Sequence, residues 1–384
     1  MSSILTNSLL SPFVICLLLV GLVKVAFGEG VSDKEYLVQL FKPGEPGYRP
    51  KKFFLKKKSL NGNHTNTFSM WVDSVNCKEK SCEIVGVQLS WDSFGRYKSF
   101  KLKDGATLTK LDHKDFIKED YQRLQAILSD RTSALAEVDR ESLMNKTLYK
   151  KAHSSIDGMT GATSLFLRND VIAGAAYTCF HLWDLANSRV PPFIRRVTMN
   201  ESDPTILKSY LKSKESYQNL LALNALKQRK IMSDDIPPLI DEMISRKNHD
   251  VIPPLIEYLM AVLVDKSQLK ERLLEIFSGA FDRQRVAMLG WLLEKPSLMD
   301  EKFLLGLCRH FSKLESYREV QLLLSLCQKN QVHEELMVPH VFKLLSHDKF
   351  FVQRRAYHFL KEQQMNSSEE TILKSFAQKY ESRL

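Results

Sequence analysis

The sequence predicts two folds in series: an α+β domain, in which an antiparallel meander is followed by helices, and then an all-α array of helical hairpins. Three observations carry this. Residues 68–102 hold three short runs rich in β-branched and aromatic side chains, separated by turn residues. From Asp115 onward the apolar residues recur at helical spacing instead. Beyond Pro191-Pro192 strand signals become scarce, and leucine-rich segments return at multiples of roughly 33 to 35 residues.

Taken in order, the first 28 residues stand apart from the rest of the 384. Phe13 to Val23 carries no charge, and Ala26 and Gly28 are small residues where a signal peptidase reads. Cleavage is expected before Glu29. The n-region lacks Lys and Arg, however, and the apolar count can be carried back to Ile4, so residues 4–23 also read as a membrane anchor. Both readings place the rest of the chain outside the cytoplasm, in the periplasm or another extracytoplasmic space. Residues 29–67, with Pro43, Pro46, Pro50, Gly44, Gly47 and Gly62, read as an irregular lead-in. Its Arg49 to Lys58 stretch, RPKKFFLKKK, is the densest part of a formal net charge of +10 and reads as a solvated edge. Such a run suits an anionic lipid or an acidic partner. Export argues against nucleic acid.

The expected strands are Phe68–Val75, Cys82–Trp91 and Arg96–Leu102, the last two joined by the turn Asp92-Ser-Phe-Gly95. Cys77 and Cys82 flank the first hairpin, and in an oxidising compartment a disulfide there is geometrically easy. Cys179, Cys308 and Cys327 sit among apolar residues and read as core. Phe116, Tyr121, Leu124, Ile127 and Leu128 then mark a helix that Asp112 or Asp115 could cap. After a looser stretch with a short helix near 141–149 comes Ile156 to Ser164, IDGMTGATS. A strongly apolar helix, Val171 to Leu185, follows.

The glycine-rich stretch has the parts of a phosphate cradle. Gly158 and Gly161 permit positive φ and close backbone approach, and a helix begins shortly afterwards. It is neither a Walker A loop nor a GxGxxG motif, and by these features alone an ordinary Asp-Gly turn is the better reading. His113 and His181 are isolated and read as structural, and no zinc-ligand or Ser-His-Asp spacing stands out.

Asp157-Gly158-Met159-Thr160-Gly161-Ala162-Thr163 resembles the Asp-Gly-x-Thr/Ser-Gly-Ala-Thr sequence of the FMN-binding domain family. That family includes the C subunit of the sodium-translocating NADH:quinone reductase and the G subunit of the Rnf complex. The resemblance implies that a FAD-dependent protein FMN transferase joins the phosphate of FMN to the hydroxyl of Thr163. Gly161 and Ala162 would give the transferase an uncrowded approach, and Asp157, Gly158 and Thr160 would belong to its recognition sequence. Where those subunits carry a second hydroxyl two positions after the acceptor, this chain has Leu165, with Ser164 one position earlier. The domain so implied spans 68–190, and Trp71, Trp91, Tyr177, Phe180 and Trp183 are the aromatics available to a flavin ring, or to the core.

For residues 203–384 the expected hairpins begin near Ser216, Arg283, Arg318 and Val352. Their second helices are Ile236–Arg246, Leu269–Phe281, Phe303–Leu314, Leu336–Leu345 and Thr371–Tyr380. Arg285-Val-Ala-Met and Arg354-Arg-Ala-Tyr resemble HEAT-type repeats, which implies a short solenoid with an extended partner-binding surface. Two functions fit: an exported flavoprotein electron carrier whose repeats dock a redox partner protein, or a non-redox extracytoplasmic scaffold built on the repeats alone.

Overall fold

Strand formation begins well before residue 68. The computed structural model describes residues 22–28, 31–40, 51–60, 66–74, 84–110, 113–137, 170–330 and 334–384. They belong to two units, residues 1–200 and 201–384. In the first unit β1 (Leu22–Gly28), β2 (Val31–Leu40), β3 (Lys51–Leu60), β4 (Asn66–Asp73), β5 (Gly86–Asp92) and β6 (Tyr97–Leu102) form one antiparallel meander in chain order.

This corrects the irregular lead-in. Its prolines and glycines cluster in 41–50 and at Gly62, outside the described residues, while the segments on either side alternate with period two. Tyr36, Val38 and Leu40 of β2 and Leu55 of β3 face the core. The basic run is an interior strand, with β2 and β4 on its two sides, and not an edge. Lysine hides its alternation from a composition count. Lys56 points out and pairs with Glu35 at 3.0 Å, whereas Lys57 is buried. The last seven residues of the expected leader, Leu22–Gly28, pair with β2 as an outermost strand. Residues 1–21 and the expected Cys77–Cys82 disulfide lie outside the described residues, as does the expected helix near 141–149. Among the described residues no helix is long and apolar enough to cross a membrane.

Three helices cover one face of the sheet. They are α1 (Lys118–Ser129), α2 (Ala176–Asp184) and α3 (Pro191–Glu201), with a five-residue π turn, Leu185–Arg189, between the last two. Inward residues Phe68, Met70, Leu89 and Trp91 pack with Leu124, Leu128, Cys179, Leu182, Phe193 and Ile194. Each such fully buried side chain contributes about 1.5–3 kcal/mol or more. Tyr36 meets Phe193 edge to face at 6.2 Å, so the supposed lead-in is part of this core.

Two local devices set the geometry. A bulge between Ser90 and Trp91 lets Lys98 and Ser99 both face out, so Tyr97, Phe100 and Leu102 share the core side. At the β5–β6 turn Gly95 has φ +72°, and a Cβ there would lie 2.8 Å from the Pro191 carbonyl oxygen. Helix α1 is capped from within: the Asp120 carboxylate accepts from the Ile117 N–H at 3.0 Å, while Asp115 accepts from the Thr107 hydroxyl instead. Asp112 lies outside the described residues.

Pro191-Pro192 opens α3 and does not end the first domain, because a helix's first turn needs no N–H from its leading residues. The boundary therefore moves from 190 to 200. The second unit holds α4 (Pro204–Lys212), α5 (Ser216–Arg229), α6 (Ile236–Ser245), α7 (Ile252–Val262), α8 (Lys266–Gly279), α9 (Asp282–Leu293), α10 (Glu301–Cys308), α11 (Tyr317–Lys329), α12 (Glu334–Phe342), α13 (Phe350–Leu360) and α14 (Ser367–Lys379). Helix α7, absent from the expected hairpins, fills the missing step between Ser216 and Asp282. Alternate helices touch: α5 packs on α7, α7 on α9, α9 on α11 and α11 on α13, while α8 packs on α10 and α10 on α12.

Candidate functional site

The residues singled out by the sequence, Asp157, Gly158, Thr160, Gly161, Ala162, Thr163 and Ser164, all lie outside the described residues. What the structure does describe is the pair of posts at the ends of that interval. One post follows α1: Asp130 starts a turn in which its carboxylate accepts from the Thr132 N–H at 2.8 Å and from the Thr132 hydroxyl at 2.7 Å. Those two bonds hold the Asp130 carboxyl below the usual carboxylate range. Ser133 and the buried Leu135 follow. The other post is Asp170 and the turn that leads into α2.

The posts are fastened to each other. Ser133 donates its hydroxyl to the Asp170 carboxylate at 2.5 Å. The Trp183 indole N–H of α2 donates to the Asp130 carbonyl at 2.7 Å, and Asn187 of the π turn donates to the Leu128 carbonyl at 3.0 Å. Ile172 and Cys179 complete the apolar support. Burial pushes the Cys179 thiol up to about 12, so it is an inert core group as the sequence suggested.

Two arginines stand at the first post. Arg131 is exposed, Arg195 of α3 is half-buried, and burial together with the neighbouring Arg131 lowers the Arg195 guanidinium from its ordinary value. Two like charges held in each other's field favour an anion. The posts also carry the Asp130 and Asp170 carboxylates, and the Asp184 carboxylate of α2 is held by Arg189 at 2.6 Å.

The aromatics separate into distinct roles. Trp91 is fully buried and its indole donates to the Ala186 carbonyl at 2.8 Å; Trp183 is likewise committed. Tyr177 and Phe180 of α2 are half-buried. Trp71 is 40% exposed on the face of the sheet opposite α1 to α3, where the register sets Leu37 beside Phe54 and Trp71 beside Gln88. His113 sits in the left-handed region at φ 56°, and His181 lies on α2. Among the described residues no group of three or more His, Cys, Asp or Glu is placed to hold a metal.

The second unit carries a polar device that sequence reading missed. In the first turns of α5, α9, α11 and α13 stands a buried or half-buried polar side chain that bonds the turn before it. Asn219 of α5 donates to the carbonyls of Tyr210 and Leu211 at 2.8 and 3.1 Å. Gln284 of α9 donates to Ile244 and Asn248 at 2.8 and 3.1 Å, and its amide oxygen accepts from the Phe281 N–H. Glu319 of α11 accepts from the Glu315 and Ser316 N–H groups and from Arg285 of α9 at 2.6 Å. Gln353 of α13 donates to the His347 carbonyl. The signal was present in the aligned helix starts, each of which has an amide or Glu in its first turn.

No family model, no curated protein and no solved structure matches this chain.

Proposed function

We propose that this chain is an exported flavoprotein electron carrier, periplasmic or extracytoplasmic, with FMN joined by a phosphoester to Thr163. The observation that carries the reading is the loop Asp157-Gly-Met-Thr-Gly-Ala-Thr163, whose residue types suit an acceptor presented to another enzyme's active site. The hydroxyl of Thr163 exchanges its O–H for an O–P bond; FAD is the donor and AMP the leaving group. The FAD-dependent protein FMN transferase supplies the metal and the base, because phosphoryl transfer depends mainly on positioning and charge. FMN contributes one- and two-electron chemistry at its ring. The chain's own part is to hold the acceptor loop at fixed posts. Ser133 and Asp170 fasten those posts, and the positive charge of Arg131 and Arg195 suits a phosphate nearby.

The second unit is read as a HEAT-like solenoid that docks a redox partner protein. Support comes from the alternate packing of its helices and from bonds between groups 33 to 36 residues apart, such as Arg246 to Ser213, Arg285 to Glu319 and Lys329 to Leu293. A stack of this kind offers a long surface in which each repeat meets only its neighbours. Residues 4–23 would add membrane association where the leader is retained.

Intact mass and absorbance of protein made in a host with the transferase test the reading. An FMN-sized adduct that survives denaturation and disappears in Thr163→Ala is expected. A colourless protein of unmodified mass from that host sinks it and leaves the non-redox scaffold. The same spectrum reports leader removal, which would take β1 away with it.

A further inference from the structure

Two buried thiols in the second unit face each other. Cys308 ends α10 and Cys327 lies in α11, the next helix, and their sulfur atoms are 3.4 Å apart. Neither is exposed, and both are free cysteines. A disulfide needs the sulfurs near 2.05 Å. The remaining gap is on the scale that small rotations about the two Cα–Cβ bonds can close, with α10 and α11 already packed together.

We propose that Cys308 and Cys327 form a latent disulfide, closed by thiol–disulfide exchange with an external disulfide and joining α10 to α11. In the exchange both S–H bonds break and one S–S bond forms within the chain. Two electrons pass to the incoming disulfide, whose own S–S bond breaks, and the two protons end on the thiols it releases. Exchange begins with a thiolate. The hydrogen bond with Cys308, together with burial, raises the Cys327 thiol well above its ordinary value, so thiolate is scarce while the helices are closed. The bond therefore forms while α10 and α11 are open, during folding or in local unfolding, and is then sealed from reductants by the same packing.

This inference does not depend on the flavin. It also differs from the expected Cys77–Cys82 bond, which belongs to the first unit. Its effect is on the second unit, because Glu319 in the first turn of α11 accepts from Arg285, and the Ser316 N–H that precedes the helix donates to the same carboxylate. A staple between α10 and α11 closes the segment from Cys308 to Cys327, 19 positions apart, in the unfolded chain, and so raises the stability of the hairpin that carries Glu319.

The test uses the reduced full-length protein and glutathione disulfide at mildly alkaline pH, with and without urea below the unfolding midpoint. In buffer alone the pair stays reduced. In urea, peptide mapping under non-reducing conditions should recover a peptide joining Cys308 to Cys327, lighter by two hydrogens than its parts. After urea is removed, the oxidised protein should melt several degrees above the reduced one, and a phosphine reductant added in urea should reverse the shift. Glutathione adducts on both cysteines without an internal bond, or a lower melting temperature after linkage, overturn the proposal. These outcomes use the unsubstituted chain, so they stand even if Cys308→Ser fails to fold.

Discussion

In the first unit the longest buried polar bonds tie residues far apart in the chain: Trp91 to Ala186 across 95 positions, and Thr198 to Ser93 across 105. In the second unit they tie neighbours in space that are also near neighbours in sequence. Gln284 reaches back 40 and 36 positions, and Arg285 reaches forward 34. The difference teaches how damage should spread. A sheet and helix layer closed by distant contacts must form as a whole, whereas a row of hairpins is stabilised link by link.

The sharpest way to break that contrast is at Arg285 and Glu319, whose side chains are 7% and 0% exposed. Glu319→Ala leaves a buried guanidinium without its carboxylate and frees the Glu315 and Ser316 N–H groups. A loss of about 3–5 kcal/mol is expected. Hydrogen exchange should show the opening confined to α9 to α11, with the first unit protected as before. Protection lost equally in α1 to α3 would mean that the two units do not respond separately.

Gly95→Ala makes the complementary change in the first unit. It combines a positive φ with a Cβ set against the Pro191 backbone, which cannot withdraw without moving α3. The strained backbone alone costs about 1–3 kcal/mol. Here deprotection should extend through the sheet and α3 together, since one turn holds both. A loss confined to the β5–β6 turn would show that the first unit is less cooperative than its bonds suggest.

The smallest effect is a shared one. Each unit buries a tyrosine: Tyr97, whose hydroxyl donates to the Gln125 side chain at 2.7 Å, and Tyr258, whose hydroxyl donates to the Ile231 carbonyl at 3.0 Å. Burial pushes the Tyr258 phenol up to about 12 and the Tyr97 phenol higher. In the unfolded chain both ionise near pH 10. Their folded pKa values are raised, so the stability they contribute is whole below about pH 10 and is lost as pH rises toward 12. Melting temperatures measured from pH 9 upward should fall over that window. Tyr258→Phe should flatten the fall for the second unit alone.

The sequence was legible where alternation and composition agreed. Phe68 to Val72 and Val87 to Trp91 are apolar every second residue, and they are strands. It was not legible where lysine occupied outward and even inward positions, as in β3. Proline pairs open helices throughout: Pro191-Pro192, Pro237-Pro238 and Pro253-Pro254 all stand in first turns, where the missing N–H costs nothing, and only the middle pair was read so from the sequence. Reading the first pair as a boundary moved the domain end by ten residues, and overlooking the last pair as a start concealed α7. For the site, the sequence Asp157 to Thr163, on which the proposed acceptor rests, is seven residues long. The fastened posts are not, because Ser133 and Asp170 are brought together only by the folded path of the chain.

That fastening limits how far anything on Thr163 can travel. Thr163 stands seven residues before Asp170, and an extended chain covers about 3.5 Å per residue, so its reach from that post is about 25 Å. A sphere of that radius containing one molecule corresponds to roughly 25 mM. On the proposed reading, with FMN on Thr163, an acceptor held within that sphere would meet the flavin at millimolar effective concentration, and electron exchange would be governed by how long the acceptor stays docked and not by how often the two collide.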